Sequence, residues 1–207
     1  MDRRVTVTGI GECMVEPDGI RMQGELSGIC PTYAEAVARS VDVITVMRQT
    51  LADIGFDWYD LKTSSFSVSP TYETRTDGEQ YARVFLGYTY NHGIKFEMDA
   101  DPEMLGRVLE ALVSLPQAPE IRVSFFIQDP SEAVKEARRI AVKDAKRKAK
   151  ELADAAGVKL GSIIGITYAG GCQTDGPRTR MLTSCAPDVV PDTIPVSDSV
   201  TIEWEIQ

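Results

Sequence analysis

Residues 129–157 read DPSEAVKEARRIAVKDAKRKAKELADAAG, and the period of this stretch decides the fold. Asp129, Pro130, Ser131 and Glu132 open a helix and Gly157 stops it. Val134, Ala137, Ala141, Ala145, Ala149, Leu152 and Ala156 recur at spacings of three and four, the signature of one helical face. That seam is mostly alanine. A small side chain lets another backbone approach closely, so the helix is expected to lie tight on a sheet or on a partner helix. Its other faces carry eight basic residues, Lys135, Arg138, Arg139, Lys143, Lys146, Arg147, Lys148 and Lys150. Glu132, Glu136, Asp144, Glu151 and Asp154 are interleaved with them. Asp144–Lys148 and Arg147–Glu151 have the i,i+4 spacing of helical ion pairs. This is the pattern of a solvated outer face that could meet an acidic surface.

The segments on either side read mainly as strands. After the helix, Leu160 to Tyr168 reads as a strand through Ile163, Ile164 and Ile166. Residues 169–197 have no period and are rich in Gly, Pro, Thr and Asp. Loops of that length in compact domains usually carry a function or are disordered. Val200, Ile202, Trp204 and Ile206 alternate as a final strand.

Before the helix, Ile121, Val123, Phe125 and Ile127 alternate as a strand. A helix over 99–115 precedes it, capped by Asp101, with Pro102 in its first turn and Leu105, Val108, Leu109 and Leu112 facing inward. Two long strand regions, 61–74 and 81–98, come earlier, with a turn candidate at Arg75-Thr76-Asp77-Gly78 and a bulge candidate at Asn91-His92-Gly93. Thr32 and Glu35 have capping-box spacing and open a helix whose stripe is Val37, Val41, Ile44, Met47, Leu51 and Ile54. Gly55 is placed to end it. The chain starts with a short strand, Val5 to Val7, ending in a glycine turn at Gly9-Ile10-Gly11. Pro17-Asp18-Gly19 turns into a second strand, Ile20 to Gly28. The order ββαββαβαβ, a long loop, then β predicts an α+β fold with three helices and a largely antiparallel sheet. No linker divides residues 4–207, so one domain is expected.

Composition bounds the function. The 207 residues carry 22 Lys and Arg against 31 Asp and Glu, a net charge of −9. That average field repels a phosphate backbone, so nucleic-acid binding is not expected. The stretch 129–157 is locally +2 and the remainder −11, so the acidic average conceals a helix of opposite sign. No apolar run approaches about 18 residues, the length of a transmembrane helix. Met1-Asp2-Arg3-Arg4 leads directly into a strand pattern, without the apolar core of an export signal. A cytosolic location is expected on that reading, and a periplasmic one if the start has been trimmed.

Little catalytic chemistry can be assembled. The chain has one histidine, His92, which makes Ser-His-Asp, Cys-His and multi-His metal sites hard to build. Cys13, Cys30, Cys172 and Cys185 form no C-x-x-C pair, so their spacing argues against zinc. Cys172 and Cys185 share the long loop and are the best candidates for a disulfide. Ser64, Ser65, Ser67 and Ser69 have no base nearby in sequence and read as the polar face of a strand. Gly9-Ile10-Gly11 does not continue into a dinucleotide fingerprint, because Met14 and then Pro17-Asp18 follow where a third glycine and a helix are needed. Asp99 and Asp101, or Glu203 and Glu205, are too generic to name a site. No cofactor and no metal are expected.

Several pieces resemble one family when taken in order. They are Val7-Thr8-Gly9-Ile10-Gly11-Glu12 with Pro17-Asp18, then Thr63-Ser64-Ser65-Phe66-Ser67-Val68-Ser69-Pro70-Thr71-Tyr72, then Gly87-Tyr88. Asp129-Pro130 before the Ala/Lys helix, Gly157 after it, and Val200-Thr201-Ile202 complete the set. Together they resemble the SIMPL-domain family over about residues 4–207, the bacterial group that includes periplasmic and outer-membrane immunogenic proteins. The resemblance implies an α+β fold and assembly into homo-oligomers. It also implies a link to oxidative-stress defence and the cell envelope, and it carries over no catalytic residues. The family-motif residues of unassigned role are Gly9, Gly11, Pro17, Asp18, Ser64, Ser65, Pro70, Tyr72, Gly87, Tyr88, Asp129, Pro130 and Gly157.

The leading expectation is a non-enzymatic, self-assembling protein. Its candidate interface is Arg138, Arg139, Lys143, Lys146, Arg147 and Lys150 on the helix, with Arg178, Arg180 and Met181 in the loop. One alternative is a protein- or small-ligand-binding module using residues 170–197. The other is a hydrolase using a carboxylate whose pKa burial has raised.

Overall fold

The structure is a computed structural model. It describes residues 3–77, 80–168, 178–180 and 191–207. The elements are β1 (Arg4–Val15), β2 (Gly19–Cys30), α1 (Tyr33–Asp53), β3 (Lys62–Asp77), β4 (Gln80–Asp99), α2 (Pro102–Val113), β5 (Glu120–Phe126), α3 (Ser131–Ala156), β6 (Leu160–Thr167), β7 (Arg178–Arg180) and β8 (Ile194–Ile206). This is the expected α+β order with three helices. The strands form two sheets, β1-β8-β6 and β3-β4-β2-β5-β7. The pairings β1–β8, β6–β8, β2–β4, β3–β4 and β5–β7 are antiparallel. The chain divides into two compact units, one holding the three-stranded sheet and α3, the other the five-stranded sheet with α1 and α2.

In the first unit α3 lies across β1 and β8. Ala137, Ala141, Ala145, Ala149 and Ala153 are its buried residues. They pack with Val7, Val200, Ile202 and Trp204. The seam therefore advances in uniform steps of four. Leu152 is 52% exposed, and Ala153 continues the seam in place of Leu152 and Ala156. Steps of four drift about 40° each around a helix of 3.6 residues per turn, so the buried line winds round the helix as the twisted sheet turns beneath it.

Gly9 and Gly11 do not form the expected turn. They stand in mid-strand, and β1 continues to Val15. A Cβ on Gly9 would lie 2.0 Å from the Ala141 carbonyl oxygen, and one on Gly11 1.9 Å from that of Ala137. Glycine is required because the helix backbone occupies that space. Asp129 Oδ1 accepts from the Ser131 N–H at 3.0 Å and holds the helix start. Gly157 ends α3 in the left-handed region at φ 68°.

In the second unit α1 and α2 cover a core of Ile20, Met22, Leu26, Met47, Leu51, Phe96, Val108 and Phe125. The Thr32–Glu35 capping box forms as expected, and Asp101 caps α2. The buried face of α1 begins with Ala36 and Ser40, while Val41 is 57% exposed. The early stripe is displaced because Ser40 meets His92 on β4 at 2.7 Å.

The bulge expected at Asn91-His92-Gly93 belongs to the neighbouring strand. β2 and β4 pair without interruption there, and Ser64 on β3 is the residue left without a partner. β3 runs through Arg75-Thr76-Asp77, so those residues are strand and not turn. A second bulge leaves Leu86 unpaired beside Gly87, whose φ of 136° suits glycine. The final strand starts at Ile194, six residues before Val200, because it pairs with β1 as far as Val15.

Candidate functional site

Three side-chain constellations stand out among the described residues. The first surrounds α3. Asp144 Oδ2 accepts from the Ile10 N–H at 3.0 Å, and Lys148 Nζ reaches the Thr8 carbonyl oxygen at 3.5 Å. Both groups lie on the unpaired edge of β1. The helix therefore leans over that edge and occupies backbone groups that another strand would use. Lys148 and Arg147 pair with Asp144 at 2.7 and 2.6 Å, and Arg147 also pairs with Glu151 at 2.8 Å. The side-chain bond from Lys148, then the backbone bond from Ile10, hold the Asp144 carboxyl well below the usual carboxylate range.

The opposite edge of the same sheet is built differently. Among the described residues, β6 pairs with β8 on one side only. Because α3 is displaced toward β1, the β6 side chains beyond Leu160, which packs at the edge of the core, stay largely uncovered. Ile163 is 44%, Ile164 50% and Ile166 60% exposed, and Leu152 of α3 faces solvent as well. No side chain among the described residues caps the β6 edge as Asp144 and Lys148 cap β1. Along the outward ridge of α3, Lys143, Lys146 and Lys150 have no ion pair among the described residues. Arg139 is hydrogen-bonded to Glu136, and Lys135 to Glu132.

The second constellation ties α3 to β6 and β8. Asp198 is buried at 3% exposure. Its Oδ2 accepts from Arg138 Nε at 3.2 Å and from the Tyr168 hydroxyl at 3.0 Å, and its Oδ1 from the Ser199 N–H at 2.8 Å. Arg138 also donates to the Tyr168 hydroxyl and stacks over that ring. Every polar atom of the buried carboxylate is used internally. Arg138 is thus an anchor, and only part of it is available to an interface.

The third constellation is His92, 8% exposed on β4. Nδ1 pairs with the Ser40 hydroxyl at 2.7 Å and Nε2 with the Thr63 hydroxyl at 2.8 Å. Burial, and then the Arg48 charge, push its pKa below the ordinary 6.5. Both nitrogens are engaged, so Ser64 and Ser65 gain no base from it. Those two serines instead fold over Gly93, where a Cβ would lie 2.7 and 2.4 Å from their oxygens. Ser40 and Thr63 were not distinguishable in the sequence from other hydroxyl residues. The only signal was a lone histidine on a strand otherwise rich in core residues.

The other expected positions are structural. Asp18 Oδ1 accepts from the Gln128 N–H at 2.7 Å, fastening the turn that begins at Pro17. Pro130 occupies the N-cap of α3, and its carbonyl accepts from the Val134 N–H. Pro70 pairs with Tyr88 on edge strand β3, where a missing N–H is tolerated. Tyr72, Phe85, Tyr88 and Tyr33 make edge-to-face contacts along the hairpin. Arg178 and Arg180 lie in β7, which pairs with β5. Met181, Cys172 and Cys185 lie outside the described residues.

A shallow hollow of about 110 Å³ is lined by Arg39, Asp42, Val43, Val46, Leu115, Pro116 and Gln117. Among the described residues, the carboxylates that the structure perturbs are Glu97, Asp129, Glu136 and Asp144, and all are held on the ionised side. None of them lines the hollow. Among the described residues no group of three metal-ligating side chains gathers, and no helix is long and apolar enough to cross a membrane.

The chain thus holds two α+β units, and within the first α3 is seated on Gly9 and Gly11 of β1. The family model SIMPL, a protein of unknown function (DUF541), matches residues 5–204, and the chain belongs to that family. Among curated relatives, the 26 kDa periplasmic immunogenic protein of Brucella melitensis is 26% identical over 216 residues. The match covers 99% of this chain and 85% of the relative. The protein of the same name in Brucella abortus (strain S19) matches to the same extent.

Proposed function

We propose that this chain is a non-enzymatic, self-assembling protein whose joining surface is the open β6 edge beside the α3 ridge. One observation carries the reading: the two edges of a single sheet are treated in opposite ways. β1 is blocked by Asp144 and Lys148, whereas β6 presents Ile163, Ile164 and Ile166 beside backbone that no described residue pairs with. An apolar, uncapped edge strand is a template for pairing with another chain. Two register shifts confine regular pairing in β6 to its second half, so the apolar side chains carry most of the contact. The bare lysines Lys143, Lys146 and Lys150 would steer an acidic second copy onto this side.

A protective or scaffolding role in the cell envelope follows as our reading. The periplasmic names of the two relatives favour the envelope over the cytosol. Light scattering after size exclusion, across a wide range of protein concentration, tests the assembly. The wild type is expected as a defined oligomer, and Ile164→Lys with Ile166→Lys as a smaller species. A wild-type monomer at every concentration overturns the assembly, and an unchanged mass in the double variant overturns the β6 surface.

A further inference from the structure

His92 joins two elements that otherwise touch little. Ser40 belongs to helix α1 and Thr63 to β3, the edge strand of the five-stranded sheet. The imidazole between them is the only histidine in the chain. A neutral ring has one donor and one acceptor nitrogen, so one hydroxyl donates to it and the other accepts. An imidazolium has two donors. Protonation therefore forces one hydroxyl to reverse, either that of Ser40, 1% exposed, or that of Thr63 on the exposed side of the ring.

The surroundings oppose the charge as well. Helix α1 contributes Arg48, whose guanidinium repels a proton on His92. Arg48 donates to the Leu61 carbonyl at 3.2 Å and lies over the Trp58 ring, and among the described residues its Nε has no hydrogen-bond partner. β2 contributes Leu26, which pairs with His92 in register. β3 contributes Phe66, an uncharged ring tilted 60° to the imidazole with centroids 5.3 Å apart. Glu25 and Lys95 belong to the opposite face of the sheet by strand alternation. Among the described residues, the one charged group acting on the ring has the wrong sign.

We propose that the Ser40–His92–Thr63 bridge is an acid-released clasp, in which protonation of His92 frees edge strand β3 from helix α1 and lets water reach the ring. β3 gives way first because it has one neighbour and Phe66 is already half exposed. Local opening follows the least protected element. The clasp is independent of the β6 surface and of self-assembly.

The experiment is hydrogen exchange of the untagged full chain at about pH 7.5 and about pH 5, corrected for intrinsic rates, with the imidazole followed by NMR. With one histidine the NMR signal needs no assignment. Peptides spanning Lys62–Ser69 are expected to exchange at least about fivefold faster at the lower pH. The midpoint is expected to follow the His92 titration, below 6.5. His92→Gln is expected to abolish the pH response, and Arg48→Gln to shift it to higher pH. Equal exchange at both pH values overturns the clasp, and so does the same acceleration in His92→Gln. If His92→Gln does not fold, an exchange midpoint that departs from the imidazole titration in the wild type also overturns it.

Discussion

Gly9 faces the main-chain carbonyl of Ala141 so closely that a Cβ on Gly9 would stand 2.0 Å from that oxygen and 2.7 Å from the Ala145 Cβ. Neither contact can be relieved by turning a side chain, because the oxygen is main chain and an alanine Cβ is fixed by its own backbone. Gly9→Ala is expected to lift α3 from the sheet and cost about 2 kcal/mol or more. Urea unfolding followed by fluorescence of buried Trp204 measures it. Gly106 is the contrasting case. It lies inside α2 with nothing within 4 Å of a built Cβ, so Gly106→Ala is expected to stabilise by up to about 1 kcal/mol.

The capped β1 edge yields a test of opposite sign to the open β6 edge. Asp144→Ala with Lys148→Ala removes the groups that occupy the Ile10 N–H and the Thr8 carbonyl. A new edge opens, and the expected result is larger, less defined assemblies by light scattering. Acid alone does not do the same until the pH is very low. The folded carboxyl of Asp144 is depressed below its ordinary 3.8, so its contribution is fully present above that value. It is lost only as the pH falls from 3.8 through the depressed folded value. Assembly governed by this cap is therefore expected to be flat from neutrality down to about pH 4.

Asp198 is the buried member of its group and Arg138 is 41% exposed. Asp198→Ala leaves Arg138 and the Tyr168 hydroxyl facing an unfilled space. The expected loss is about 2–3 kcal/mol, at the lower end for a broken buried pair because solvent reaches the arginine. Thermal unfolding by circular dichroism reads it. Tyr168→Phe removes a single hydroxyl and is expected to cost less than Asp198→Ala.

The lysine ridge predicts a salt effect. Exposed charges are screened beyond about 8 Å at physiological ionic strength. Lys143→Glu with Lys146→Glu and Lys150→Glu is expected to weaken the oligomer at low salt and to abolish the salt dependence of its wild-type formation. Sedimentation at several salt concentrations checks both. An identical salt response in the triple variant removes the ridge from the interface.

Much of this architecture is legible from local pattern. Thr32 and Glu35, Asp101 and Pro102, and Gly157 mark helix ends because capping is settled within a few residues. Ala137 through Ala149 announce close packing because no other role fits so many small residues on one face. Gly9-Ile10-Gly11 reads locally as a turn but lies in mid-strand, for a related reason. Glycine signals either a turn or a close approach, and the helix that makes the approach is more than a hundred residues away. Ser40 is a similar case: a polar residue early in α1 gives no sign that it belongs to the buried face.

The sequence by itself determined the element order, the α+β class, the helix caps and the charge of α3, because each follows from neighbours along the chain. Only the tertiary structure decided which edge of the first sheet is closed and what His92 touches. The lateral placement of α3 over β1 depends on Gly9 and Gly11 admitting the helix backbone, and that placement leaves β6 bare. The clasp needs Ser40, Thr63 and His92 brought together from three elements. These contacts exist only after long-range packing has fixed where each element lies.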